Sequence, residues 1–213
     1  MTTFTDGFTG TANPLGGVWS TPTGSPGATP GLQKGSGGGS GSTQGAYNTN
    51  GGDGNQHSTY VNSPTFVQDQ TVTMTLAAFG SSDQPGMCVR MQSGVNSYYM
   101  ALVIGGAVNL YKVVSGVNGS TLASATGLTI GQTDVFSMQV STSGGNAVFT
   151  VKQNGTTLPA LNFTDTTSVL TGGQPGLAYL ANNNGHSTAI GSFSATDTAL
   201  TTFTGSFLTL GIG

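Results

Sequence analysis

Seven aspartates and no glutamate supply all the carboxylate chemistry of this 213-residue chain. Two carboxyl groups cleave a glycosidic bond when they stand about 5–5.5 Å apart (retaining) or about 6.5–9.5 Å apart (inverting). Six of the seven, Asp6, Asp53, Asp83, Asp134, Asp165 and Asp197, fall in turn-like or strand-end contexts. Aspartate there ordinarily hydrogen-bonds local backbone. Asp69, inside a strand-like run, lacks that explanation. No pair is singled out, so an aspartate-based glycoside hydrolase ranks third among the functional readings and no catalytic residue is assigned.

Metal and cofactor chemistry fare no better. His57 and His186 have no ligand spacing to each other or to Cys88, so no zinc site is expected. Asn50-Gly-Gly-Asp-Gly-Asn55 offers one carboxylate and no terminal glutamate, which departs from a calcium loop and reads as flexible loop. Cys88, the sole cysteine, excludes an intramolecular disulfide and sits in the apolar run Gly86-Met-Cys-Val-Arg90, as a buried structural thiol does. No phosphate-cradling Gly-Lys loop exists. The expectation is no metal and no cofactor.

What remains is recognition. Trp19, Tyr47, Tyr60, Tyr98, Tyr99 and Tyr111 are candidates for stacking on a sugar, with Trp19, Tyr98, Tyr99 and Tyr111 foremost. Tyr98 and Tyr99 are strand neighbours and must point to opposite faces, one to the core and one to solvent. Charge adds little: net charge is −3, charged residues make up 5%, and Lys34, Arg90, Lys112 and Lys152 are scattered. Nucleic acid demands a basic stripe that displaces counterions, and anionic membranes demand a basic cluster. Neither partner is expected. The N-terminus carries no basic and apolar leader, and no run of about 18 apolar residues exists, so neither a signal peptide nor a membrane span is expected.

The elements that position these residues read as strands separated by glycine and asparagine turns. In Thr71-Val-Thr-Met-Thr-Leu76, a period of two puts Val72, Met74 and Leu76 on one face and the threonines on the other. Gly105-Gly106 between two apolar runs predicts a tight hairpin. Further strands are expected at 4–8, 18–20, 60–62, 66–79, 87–92, 98–104, 107–114, 135–140, 147–152, 158–163, 176–181 and 188–195, with a short helical turn at 165–170. Residues 34–58, rich in glycine and serine, read as one long surface loop. The fold class is all-β, an antiparallel two-sheet β-sandwich spanning 1–197.

Residues 198–213 form an apolar, uncharged tail containing Phe203, Phe207, Leu208, Leu210 and Ile212. Thr201-Thr-Phe-Thr-Gly-Ser-Phe207 echoes Thr2-Thr-Phe-Thr-Asp-Gly-Phe8. A free tail of this kind aggregates unless paired, either as an edge strand of its own sheet or as a docking arm on a neighbouring subunit.

The order of Phe4-Thr-Asp-Gly-Phe8, Trp19, the alternating strand at 70–79, Gly86-Met-Cys-Val-Arg90 and Asn96-Ser-Tyr-Tyr99 resembles the concanavalin A-like lectin/glucanase superfamily in its laminin-G-like form. Asn109-Leu-Tyr-Lys112, Phe149-Thr-Val-Lys-Gln-Asn-Gly155, Gly173-Gly-Gln-Pro-Gly176 and Ser192-Phe-Ser-Ala-Thr-Asp197 continue it. The resemblance implies a jelly roll whose first and last strands are neighbours. That superfamily's glucanases use two glutamates around an aspartate, which this chain cannot match. Similar modules occur in bacteriophage virion proteins. The resemblance therefore implies a non-enzymatic virion-surface protein assembled in the host cytoplasm. It would be a capsid decoration or cement subunit, homo-oligomeric and packed on partners such as the major capsid protein. The alternative is a carbohydrate-binding module of a tail fibre or bacterial surface protein, with glycans as partners.

Overall fold

A computed structural model describes residues 1–12, 14–23, 32–37, 43–48, 56–80, 83–181 and 187–198. The strands, in chain order, are β1 (Thr3–Asp6), β2 (Trp19–Ser20), β3 (Leu32–Gly37), β4 (Thr43–Asn48), β5 (Gln56–Val61), β6 (Gln70–Ala78), β7 (Asp83–Gln92) and β8 (Ser97–Ile104). Then come β9 (Ala107–Val114), β10 (Val117–Thr126), β11 (Val135–Ser143), β12 (Asn146–Gln153), β13 (Thr156–Thr157), β14 (Phe163–Asp165), β15 (Gln174–Ala181) and β16 (Ala189–Asp197). A 3-10 turn at Pro159–Leu161 is the only helical element among the described residues.

Two antiparallel sheets face each other. One has seven strands in the order β10-β9-β8-β7-β15-β5-β2. The other runs β13-β12-β11-β6-β16-β4-β3, with β14 sharing the free side of β12 and β1 sharing a side of β16. The first and last strands are therefore neighbours, in register from Thr3 opposite Thr196 to Asp6 opposite Phe193. An aromatic cluster locks that junction. Trp19 sits 5.6 Å from the Phe4 ring, 5.8 Å from Phe8 and 5.3 Å from Phe193, and its indole N–H donates to Asp6 at 2.9 Å.

Strand β6 shows why the sandwich forms. Val72, Met74 and Leu76 are fully buried while Thr71, Thr73 and Thr75 alternate on the other face, as the period of two predicts. The inner faces of both sheets build one continuous core. The outer face of the seven-stranded sheet carries a second apolar cluster, including Cys88, Tyr98, Met100, Leu102 and Val113. Burial there raises the pKa of the Cys88 thiol, as befits a structural cysteine.

The structure corrects three sequence expectations. Within 34–58, read as one loop, β3 and β4 pair with each other and β4 joins the sheet beside β16. Glycine there serves close packing, because a Cβ on Gly45 would lie 2.7 Å from the Ile190 carbonyl oxygen. The strand expected at 158–163 is instead the 3-10 turn followed by β14, since Pro159 has no N–H for a ladder. Residues 166–170 form no helical turn but an irregular loop. The tail residues Phe203, Phe207, Leu208, Leu210 and Ile212, the loop 50–55 and His186 lie outside the described residues.

Candidate functional site

Four aromatic residues stood foremost for ligand stacking, and three are buried. Trp19 is closed into the aromatic cluster. Tyr98 and Tyr99 do point to opposite faces of β8, yet both are buried: Tyr98 in the outer cluster, Tyr99 in the main core with its ring 4.8 Å from Phe149. None of the three offers an open ring face. Tyr111 is half-buried on the outer face, where it accepts a hydrogen bond from Asn109 at 3.2 Å.

The six described aspartates all hold structure. Asp6 accepts from the Phe8 amide and Trp19. Asp69 accepts from Thr142 and Arg90, which explains the carboxylate the sequence left unexplained. Asp83 accepts from Tyr179, Ser187 and Thr188. Asp134 binds the Gly131 amide, Gln153 and Asn154. Asp197 accepts from the amides of Thr2 and Val67, joining both ends of the domain.

Asp165 is the exception in one respect, because its interactions form the floor of an open cleft. Tyr99 on β8 and Lys112 on β9 are cross-strand partners on the inner face of the seven-stranded sheet. Asp165 ends β14 in the facing sheet. Its Oδ2 accepts from the Tyr99 hydroxyl at 2.6 Å and from Lys112 Nζ at 2.8 Å, and its Oδ1 accepts from the Thr167 amide at 3.0 Å. Lys112 also donates to the carbonyls of Thr167 at 2.6 Å and Ser168 at 2.7 Å. All three ammonium protons thus have acceptors. The Leu170 amide donates to the Tyr99 hydroxyl at 3.0 Å.

Burial alone would raise the pKa of Asp165, but donation from Lys112, Tyr99 and the Thr167 amide outweighs it and holds the group below the usual carboxylate range. The Tyr99 phenol moves the other way, raised by burial and by its bond to Asp165, so it stays protonated and donating. Asp134 and Asp197 likewise lie below the usual range: burial opposes the shift, and local hydrogen-bond donors win.

A pH prediction follows from these three depressed values. Their contribution to stability is complete above the unfolded aspartate pKa of about 3.9 and is lost as pH falls through the lower folded values. Urea unfolding should give a plateau down to about pH 5 and a steady fall below about pH 4. Asp165→Asn should flatten part of that fall. An acid limb unchanged in the variant would refute the role given to Asp165.

The cleft itself has a volume of ≈ 650 Å³ and opens between β10 and β14, edge elements of the two facing sheets. Its walls are Val114, Leu122, Phe163 and Leu170; its rim carries Thr164, Thr166, Thr167 and Ser168; Lys112 and Asp165 form the floor. At the far end of β10, the Pro159–Leu161 turn packs against that strand and closes the sandwich edge. Sequence reasoning missed this site, although one signal was present. Lys112 continues the inward phase of Val108 and Leu110, and a cation on a buried face requires an anion.

A second buried cation braces the same loop from behind. Arg90, fully buried, donates to the carbonyls of Gln68 at 2.8 Å and Leu170 at 3.0 Å and to Thr142 at 2.8 Å. Burial lowers its pKa, opposed by the nearby Asp69. Gln92 then holds the carbonyls of Thr171 and Gly172, and Gln70 holds that of Gly173. Residues 166–173, devoid of regular structure, are therefore clamped along most of their length.

Neither a family model nor a curated protein matches this chain. Solved structures do. The carbohydrate binding module CBM66 from Bacillus subtilis aligns over 83% of this chain and 90% of its own, with 15% identity and a TM-score of 0.51. A protein of unknown function with a galectin-like fold, also from Bacillus subtilis, aligns over 87% of this chain and 94% of its own, with 14% identity and a TM-score of 0.56. The fold is a galectin-like jelly roll. At these identities the likeness concerns architecture, in agreement with the concanavalin A-like sandwich expected from the sequence.

Proposed function

We propose that this galectin-like jelly roll is a non-enzymatic glycan-recognition module whose cleft takes a neutral saccharide. The observation that carries this is the chemistry of the cleft. Its walls are apolar, its rim bears four hydroxyls, and the ion pair on its floor is satisfied internally. A sugar ring offers the complementary surface, with apolar C–H faces and hydroxyls at its edge. The name of the CBM66 neighbour supports the same ligand class, and the described aspartates, all engaged in structural hydrogen bonds, support a role without catalysis.

A glycan array followed by calorimetry tests this. Phe163→Ala should weaken binding of the selected glycan at least tenfold, about 1.4 kcal/mol, while leaving the fold intact. Affinity should change little with salt, since no free charge meets the ligand. Absence of binding to any neutral glycan, or indifference to Phe163→Ala, would sink the assignment.

A second reading, the virion-surface decoration subunit packed on neighbouring subunits such as a capsid protein, is supported by the exposed apolar side chains. Met1, Val67, Val95, Val114 and Val117 are the large exposed hydrophobics among the described residues. All five lie at one end of the sandwich, the end where Asp197, Gln70 and the β7–β8 and β9–β10 turns meet. Apolar side chains exposed at one end are what a contact face there would use. Light scattering that finds only monomer, alone and with capsid partners, would count against it.

A further inference from the structure

We propose that the cleft has a built-in occupant: the chain's own C-terminal segment, residues 199–213, docked in cis with Phe203 as its anchor. Three observations lead there. The first is position. The Thr198 amide donates to the Asp69 carbonyl at 3.1 Å, so the segment departs beside Asp69. Arg90 reaches both Asp69 and the carbonyl of Leu170, and Leu170 is a wall of the cleft. Departure point and cleft are one arginine side chain apart.

The second observation is length. Phe203 stands five residues beyond Thr198. Five extended residues span up to about 17 Å, more than the two hydrogen bonds and one guanidinium that separate Asp69 from the Leu170 carbonyl.

The third is chemical match. The segment has no charged side chain and contains Leu200, Phe203, Phe207, Leu208, Leu210 and Ile212. An apolar, uncharged segment suits a cleft whose walls are apolar and whose ion pair needs no further partner. Docking also covers Val114, a half-exposed apolar wall of the cleft whose contact with water is otherwise costly. Tethering selects cis over trans, because a short linker gives an effective concentration near millimolar, far above that of a second copy at micromolar protein. Tail and saccharide then compete for one cleft, so the tail sets the apparent affinity for glycan. The inference shares that cleft with the glycan assignment but stands without it.

Hydrogen exchange on the full chain tests the docking. Amides between 200 and 207 should exchange at least tenfold more slowly than in an unstructured peptide, equally at about 1 and about 100 μM protein. Phe203→Ser should abolish this protection while amides of β6 keep theirs. Leu122→Asp should do the same from the cleft side; if it does not fold, Phe203→Ser decides alone. Unprotected tail amides would overturn the inference. So would protection that grows with protein concentration, which signals a neighbour's tail, or protection that survives Phe203→Ser. Ending the chain after Thr198 should tighten glycan binding at least tenfold. If neither form binds any glycan, the glycan assignment falls and the exchange result still decides the tail.

Discussion

Arg90→Ala is expected to destabilise the domain by about 3–5 kcal/mol, the range for removing one partner from a buried charged network. The guanidinium is fully buried, and its planar fork satisfies two backbone carbonyls, of Gln68 and Leu170, together with Thr142 and Asp69. Alanine leaves the carbonyls without donors in a site too enclosed for free hydration, and unmet buried polar groups cost more than the bonds themselves contribute. Arg90→Lys should recover little, since a single ammonium cannot span the fork. Urea unfolding checks both variants. A loss under about 1 kcal/mol would show that the carbonyls find other donors. Because Arg90 also holds the Leu170 end of the cleft loop, the partly destabilised protein should lose glycan affinity as well.

Gly173→Ala is the second large effect, expected at about 2–5 kcal/mol from backbone strain and overlap together. Gly173 has φ +98°, a region L-residues rarely enter, and an added Cβ would lie 2.6 Å from the Arg90 carbonyl carbon and 2.7 Å from the Met91 carbonyl oxygen. The neighbours are backbone of β7 and cannot rotate aside as a side chain would. Gly10→Ala, also at positive φ but with open space around the added methyl, should cost less and isolates the overlap from the strain. Equal losses in the two variants would disprove the overlap with β7.

Much of the sandwich was legible before any coordinates. Alternation exposed β6, and Gly105-Gly106 marked the β8–β9 hairpin because both glycines adopt positive φ. Strand β10 was missed for a physical reason: as an edge strand with most residues exposed, it needs no apolar alternation. Strands β3 and β4 were hidden by glycines that, at Gly45, are there to let a neighbouring strand approach. Of the site, Lys112 was readable as an inward cation, but its acceptors lie 53 to 56 residues away and no local pattern announces them.

The sequence by itself determined the chemical repertoire: no glutamate, few charges, one thiol, and strands whose two faces differ in polarity. Those are properties of residue type and of local period, and they hold in any arrangement of the strands. Only the tertiary structure decided which faces meet. It closed Trp19, Tyr98 and Tyr99 away from solvent, turned Arg90 inward at a register shift in β7, and left the gap between β10 and β14 open. Such outcomes depend on pairings between distant segments, where a one-residue change of register would send the same side chains to the opposite face.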